Sequence, residues 1–498
     1  MITEAHGRNP RHKAPRSQRR APVVVTVIAL LVLAGVANAT IKRGRVVDRS
    51  APSAALTVVH LGGAVSSVAW YCAGPFPLGL KHEESSLVLA NVTGRSIDGE
   101  FSVATASGVL ASYPVMVTAK TSKTILLPAT KRSAFASATV LVDGGGLAVS
   151  EEILGPGGAD ISPCVNHATQ TQYLASGATT RPNTIALSLY DPGATPSVAS
   201  IAFSTPNGPV SPPAYQGLPI AAGAALILDV GRYLPSQALV GITVTSAGGP
   251  VVVGALESSV VAGKTLASMV TADAVAERAW WLAPAPAGTT ARQRFTILNP
   301  GDVGATVKVA TSGDSGLASE VVAVPGRGVI SLSTASEAQV GAVRWATVTS
   351  SEPIVVTRAT TLLGPGGAGG VARAITGAAK VIAGLPVGYT ISAATPALAR
   401  SWLIGDGESD AGQGELILMA NPSAEPATVT FSSLSGGVAP ATIRIASRGE
   451  RVVSVPTTRK GTAIVVTATA PVVVDSGNFA RGASASIGWS SPGAIVVS

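Results

Sequence analysis

The chain is poor in the side chains that carry out chemistry. It has 5 histidines in 498 residues, and none after His167. A Ser-His-acid arrangement or a histidine-rich zinc site is therefore excluded from the C-terminal two thirds. It has two cysteines, Cys72 and Cys164, fewer ligands than a cysteine zinc site needs. Aromatic residues are 4% of the chain, a thin supply for a sugar-binding face of stacked rings. Charged residues are 12% against 46% hydrophobic ones. That is neither a disordered nor a nucleic-acid-binding composition.

The net charge of +8 is local. Ten of the 35 Lys/Arg lie in the first 49 residues, with two of the 27 acids, Glu4 and Asp48. The remainder carries 25 of each sign and offers no excess of cations for a nucleic-acid groove. The basic end flanks Pro22–Ala39, "PVVVTVIALLVLAGVANA", eighteen uncharged residues. Its length can just span a hydrocarbon core, and the heavier positive charge before it places the N-terminus in the cytoplasm. The alternative is a cleaved signal peptide, since Ala37-Asn38-Ala39 has the form of a cleavage site. The protein is then secreted. Either way residues 40–498 face an oxidising exterior, where two cysteines suggest one disulfide rather than two buried thiols.

Gly (55) and Pro (34) are plentiful and without a collagen period, which suits short strands joined by many turns. A row recurs four times. An apolar strand ends in Asn91, Asp191, Asn299 or Asn421, a short turn follows, and an alternating strand runs on to Gly108, Gly208, Gly316 or Gly436. Asn or Asp suits a strand end because its side chain accepts a hydrogen bond from the backbone two residues on. About twenty residues earlier stands an aromatic column, Tyr71, Tyr173, Trp281 and Trp402, expected to give each unit one large core side chain. Later come paired strands about Gly145-Gly146, Gly249-Pro250, Glu352-Pro353 and Ala470-Pro471. Strands of period two, turns every 8–12 residues and no helical period indicate β-sandwiches.

The expected fold is all-β: a tandem array of four Ig-like or fibronectin-like β-sandwich repeats after one N-terminal transmembrane helix. The segments are a cytoplasmic tail (1–21), the helix (22–39), a linker (40–55) and units at 56–162, 163–268, 269–392 and 393–498. The third unit includes a Gly-rich linker, 364–380, where a bend is expected. Short connections predict a stiff rod or a packed arc.

Three motifs imitate chemistry. "GDSG" (313–316) resembles a protease nucleophile loop, but Ser315 has no later histidine and falls in the repeat's glycine turn. "GPGGAG" (364–369) matches a dinucleotide pattern without the strand–helix context it needs. Asp406, Glu408 and Asp410 alternate as in a calcium loop, yet the position-twelve Glu is missing and Ala411 replaces the glycine. His60, His82 and His167 are scattered singly.

The whole resembles an uncharacterised family of actinobacterial envelope proteins with a basic cytoplasmic tail, one membrane segment and an Ala/Gly/Val-rich exterior. The resemblance rests on "AWYCAGP" (69–75), "ISPC" (161–164), the "NP…ATV" rows and the "PVVV" strands, and covers most of 56–498. It implies envelope-polysaccharide biology, because such proteins tend to be encoded beside a membrane glycosyltransferase. The expectation is a non-catalytic scaffold or interaction protein, tethered to the membrane, without cofactor or nucleic acid. Its partners would be envelope glycan or envelope proteins. The alternative is a carbohydrate-binding accessory of an envelope glycosyltransferase; a degenerate hydrolase would need clustered acids in a deep pocket.

Overall fold

A computed structural model describes residues 58–59, 67–77, 84–128, 133–155, 158–288, 291–313, 316–333, 342–364, 385, 387–405, 413–435, 441–455, 463–480 and 495–497. All lie in one compact unit, Ser53–Ser498. The proposed membrane segment, 22–39, falls outside the described residues, as do Ser315, the linker 365–380, Asp406, Glu408, Asp410, His60, His82 and Gly436. Among the described residues, no helix is long and apolar enough to cross a membrane.

The described chain is all-β, with two short 3-10 turns. After β1 (Val58–Val59), the first sandwich holds β2 (Val68–Pro77), β3 (Glu84–Asn91), β4 (Ile97–Thr105), β5 (Gly108–Val117), β6 (Ser122–Leu126), β7 (Phe135–Val142), β8 (Leu147–Gly155) and β9 (Gly158–Pro163). Its sheets run β2-β7-β4-β5 and β6-β3-β8-β9. The second holds β10 (Thr171–Ser176), β11 (Thr184–Tyr190), β12 (Ser197–Thr205), β13 (Gly208–Val210), β14 (Leu218–Ile220), β15 (Ala225–Asp229), β16 (Val240–Ala247), β17 (Val252–Val261) and β18 (Lys264–Thr271). It repeats the order as β10-β16-β12-β13 and β15-β11-β17-β18. All pairings in these sheets are antiparallel. An immunoglobulin sandwich pairs its third strand with the sixth and its second with the fifth. Both pairings occur here, but the first and seventh strands have exchanged sheets.

The third sandwich holds β19 (Glu277–Ala287), β20 (Ala291–Asn299), β21 (Ala305–Gly313), β22 (Gly316–Val324), β23 (Gly328–Ser333), β24 (Ala342–Leu363) and β25 (Val387–Ala393). The fourth holds β26 (Ala399–Ile404), β27 (Gln413–Ala420), β28 (Ala427–Ser433), β29 (Ala441–Ile445), β30 (Glu450–Val455), β31 (Ile464–Ala480) and β32 (Ile495–Val497). The turns expected at Glu352-Pro353 and Ala470-Pro471 are absent. β24 and β31 run straight through these pairs and change sheets. β24 leaves β19 at Ile354 and joins β20 at Val355, and β31 leaves β26 at Val472 and joins β27 at Val473. Proline fits at such a hand-over because it gives no donor to a ladder. Glycines at positive φ, Gly144, Gly146 and Gly248, do turn the chain in the first two sandwiches.

Each sandwich has its own apolar core. At every strand end the Asn or Asp is fully buried. Asn299 Oδ1 accepts the Gly301 N–H at 3.1 Å, while Nδ2 donates to the Val303, Val324 and Pro325 carbonyls at 2.8, 3.4 and 3.1 Å. Asn91 and Asn421 repeat the pattern. Asp191 cannot donate. It accepts from Gly193 N–H and from the buried Ser197 hydroxyl at 2.6 Å. Asn299→Ala leaves three carbonyls short of a donor and should cost about 2–4 kcal/mol. Asn299→Asp should cost at least as much, and Asn299→Asp/Ala305→Ser, which copies the Asp191–Ser197 pair, should recover part of it. Denaturant midpoints of the three variants check this ordering.

The four sandwiches contact one another in a closed order. Sheet β15-β11-β17-β18 packs on the first sandwich through β2, β4 and β7. A Cβ on Gly254 of β17 would lie 2.8 Å from Ala73 Cβ and closer still to Gly74 O, so glycine allows this approach. β20, β23 and β24 pack on the second sandwich, and β27 and β31 on β19 of the third. The fourth then meets the first: Leu403, Leu434 and Ala463 belong to the first sandwich's core cluster. β32 pairs with both β26 and β1, joining the two ends of the described chain. Of the rod and the packed arc expected, these contacts exclude the rod and agree with the packed arc, because the sandwiches bury apolar outer faces against one another as well as their own cores.

Candidate functional site

Two places gather polar side chains: the interior where β9, β18 and β25 meet, and a cavity between the second and third sandwiches.

The interior is made by three strands at the same repeat position, in contact with one another. Ile391 N–H donates to Ser268 Oγ at 2.9 Å, and Ser268 Oγ donates to Asp160 Oδ2 at 2.9 Å. Met269 N–H donates to the same carboxylate oxygen. Glu151 of β8 stands beside them. Its Oε2 accepts the Gly74 N–H at 2.9 Å and its Oε1 the Thr271 hydroxyl at 3.5 Å. Burial pushes Glu151 up to about 8 and Asp160 well above the usual carboxylate range, against the lowering effect of these hydrogen bonds. Asp273 is raised well above that range by burial alone, and Glu415, whose two oxygens have no hydrogen-bond partner, is raised to about 8 by the same cause.

Counting from the strand-end Asn, Glu151 and Arg358 occupy the same repeat position. Arg358 is fully buried. It donates to Ala283 O at 2.5 Å, and burial lowers it to about 10 while Asp475 opposes the shift. Of these groups, Glu151, Asp160 and Arg358 tie strands together inside and between sandwiches. The Ser268 and Thr271 hydroxyls stand beside these carboxylates and donate their hydrogen bonds to them inside the buried interior. Residue-type reasoning passed over them, although acids within otherwise apolar strands, as in "LAVSEEILG", were a signal of buried charge.

The cysteines form the disulfide Cys72–Cys164, closing 92 residues within the first core. Both are fully buried, and the bond indicates an oxidising compartment. Leu174 and Ala272 hold the same places in the second sandwich, and Leu282 and Ala394 in the third, where each pair belongs to its core. The Glu151 carboxylate lies within 4.8 Å of both sulfurs, but sulfurs bonded to each other supply no thiolate ligand.

The aromatic column needs correction. Tyr71, Tyr173 and Trp281 are only half-buried. The buried column is Trp70, Gln172, Trp280 and Trp402. Trp280 and Trp402 donate from Nε1 to the carbonyls of Ile354 and Val472, and Gln172 Nε2 donates to the matching Val251 carbonyl. A slip of one residue moves a strand side chain to the opposite face. The half-buried trio instead marks where each first strand is bridged by the chain entering the next sandwich, at Val165, Asp273 and Thr395. His167 Nδ1 lies 3.0 Å from Asn166 Oδ1.

The cavity encloses about 550 Å³ between Ser259 of the second sandwich and Gly288, Arg292, Gln293, Arg294, Ser333, Ala359, Thr361, Leu363 and Tyr389 of the third. Arg292 and Arg294 alternate on β20 and so share one face. Across the ladder Arg292 stands opposite Thr361, Arg294 opposite Ser333 and Ala359, and Thr361 opposite Tyr389. Tyr389 is 5% exposed. Its hydroxyl is pushed up, first by burial and then by Glu257, with Arg294 opposing.

No family model and no curated protein sequence matches the chain. Among solved structures, a tetra-tandem repeat from the extending region of a large adhesion protein aligns over 88% of this chain and 98% of its own, at 11% identity. The TM-score is 0.10, too low to carry an argument.

Proposed function

We propose that the protein is a non-catalytic, membrane-anchored scaffold or interaction protein of the cell envelope, with 40–498 outside the cytoplasm. The observation that carries this reading is the closed contact order of four sandwiches of one design. It spends Glu151, Asp160, Arg358 and the disulfide on assembly and leaves loops and the arginine-lined cavity for recognition. The disulfide and the basic flank before residues 22–39 support the placement. Membership of the actinobacterial envelope family, and the Ig-like naming of the units, belong to the same proposal.

A carbohydrate-binding accessory to a glycosyltransferase is the second reading, favoured by the hydroxyl-lined cavity. For a neutral sugar, however, the described lining residues include no exposed ring and no Asp or Asn. Protease added to intact cells tests the placement. The full chain should sediment with membranes and lose its exterior to the protease, leaving a fragment of about the first 50 residues. Protection of the whole chain in intact cells overturns the placement.

A further inference from the structure

We infer that the cavity between the second and third sandwiches is a binding site for a small organic oxyanion, a phosphomonoester or a carboxylate, held by Arg292 and Arg294. This assignment rests on reading the protein as a binding scaffold, and it adds the chemistry of the ligand.

The first argument is charge. Among the described residues, Arg292 and Arg294 make no hydrogen bond or ion pair, and none of the ten described lining residues is acidic. Two residues apart on a strand, their Cα atoms are about 6.5 Å apart. Both guanidinium forks can therefore reach one tetrahedral or planar anion, the geometry in which arginine binds phosphate and carboxylate best. Glu257, the carboxylate that acts most on the Tyr389 hydroxyl, is buried, accepts the Gly177 N–H at 3.1 Å and is not among the residues lining the cavity.

The second argument is the repeat. Seven and five residues before the strand-end Asn, the other sandwiches carry Glu84 and Ser86, Thr184 and Ala186, and Gly414 and Leu416. At the second of these positions Ser86 and Leu416 are spent on pairing and packing, whereas at the first Glu84 and Thr184 are exposed. Ser86 donates to Glu152 at 2.7 Å, and Leu416 packs among Ala291, Val343 and Leu362 of the third sandwich. Of these four pairs of positions, the third sandwich's alone is cationic, and it lines the cavity. The third sandwich thus sets two like charges on one face, an arrangement that a bound anion would relieve.

The third argument is capacity. Ser259, Ser333 and Thr361 carry hydroxyls that have no hydrogen-bond partner among the described residues. They are free to donate to an anion or to a hydroxylated body. Ala359 and Leu363 supply an apolar wall. The volume lies within the range that small organic ligands occupy, roughly 300–1,000 Å³, and exceeds what a bare phosphate needs.

Isothermal titration of the full-length chain in a neutral detergent tests the assignment. Inorganic phosphate and galacturonate serve as separate probes, each against sodium chloride of equal ionic strength. Saturable binding of either probe is expected, and the stronger probe tells phosphate from carboxylate. Arg292→Ala/Arg294→Ala should weaken binding at least tenfold, while Arg292→Lys/Arg294→Lys should weaken it less and restore salt dependence. Neither variant should move the melting temperature of the unliganded chain, because both side chains lack partners among the described residues. Absence of saturable binding by both probes, or undiminished binding by the alanine variant, overturns the site. Mass spectrometry of the recovered probe separates the two readings: an unchanged probe fits a scaffold, and a converted probe overturns the non-catalytic reading while leaving the site.

Discussion

Replacing Cys72 and Cys164 together by alanine is expected to destabilise the protein by about 5 kcal/mol or more. The bond closes 92 residues, for which the loss of denatured-chain entropy amounts to roughly 4–5 kcal/mol. Two alanines would also leave a void among Trp70, Phe76 and Val149, adding about 1–2 kcal/mol. The sister sandwiches show how the void can be filled. Cys72→Leu/Cys164→Ala copies the Leu282–Ala394 pair of the third core. It should restore the packing part and leave only the entropic loss. Urea midpoints of the two double variants give the comparison. Equal damage from both would mean that the disulfide position is not the one filled by leucine and alanine elsewhere.

Glu151→Gln should stabilise the chain by about 4 kcal/mol at pH 8 and by little at pH 4. The carboxyl is raised by burial from 4.5 to about 8. A group raised on folding stabilises fully below its unfolded value and loses that contribution as pH climbs through the folded one. The window is therefore pH 4.5 to 8, at about 1.4 kcal/mol per unit. The groups facing Glu151 are the Gly74 N–H, the Thr271 hydroxyl, the Asp160 carboxyl and the disulfide. Glutamine keeps an acceptor for Gly74 and cannot charge. Asp160, raised beside it, should leave the variant with a residual slope of the same sign. Stability measured from pH 4 to 9 decides the point. A wild-type curve that rises across this window, or an unchanged slope in the variant, contradicts the buried-carboxyl account.

Much of the fold was readable from local chemistry, because the repeat's signals are local. The turn that follows each strand-end Asn or Asp is closed by a bond from the backbone two residues on, so Asn91, Asp191, Asn299 and Asn421 announce themselves, while the longer bonds of the Asn amides to carbonyls about 25 residues away do not. The cysteine pair was also legible from compartment and count. Three features were not. The aromatic column was set one residue late in three units, because Tyr71, Tyr173 and Trp281 adjoin the buried position and only partner strands fix which face is inside. The second sandwich hides the column further by using Gln172, whose amide reproduces the indole's hydrogen bond. The sheet-changing strands β24 and β31 read as hairpins, since proline in a strand is usually a stop. The cavity arginines were counted only within a neutral total, because their neighbours come from Ser259 and Tyr389, 33 and 97 residues away from Arg292 in sequence.

The central claim is that the fourth sandwich packs against the first, and one crosslink tests it most directly. A Cβ built on Gly405 lies 3.9 Å from Ser150 Cβ, although the two residues are 255 apart in sequence. That separation suits a disulfide. Gly405→Cys/Ser150→Cys in the full-length chain, oxidised and digested without reduction, should yield one peptide pair joining residues 150 and 405, alongside the native 72–164 pair. Recovery of both introduced thiols unpaired, with the native bond intact, would contradict the closed packing.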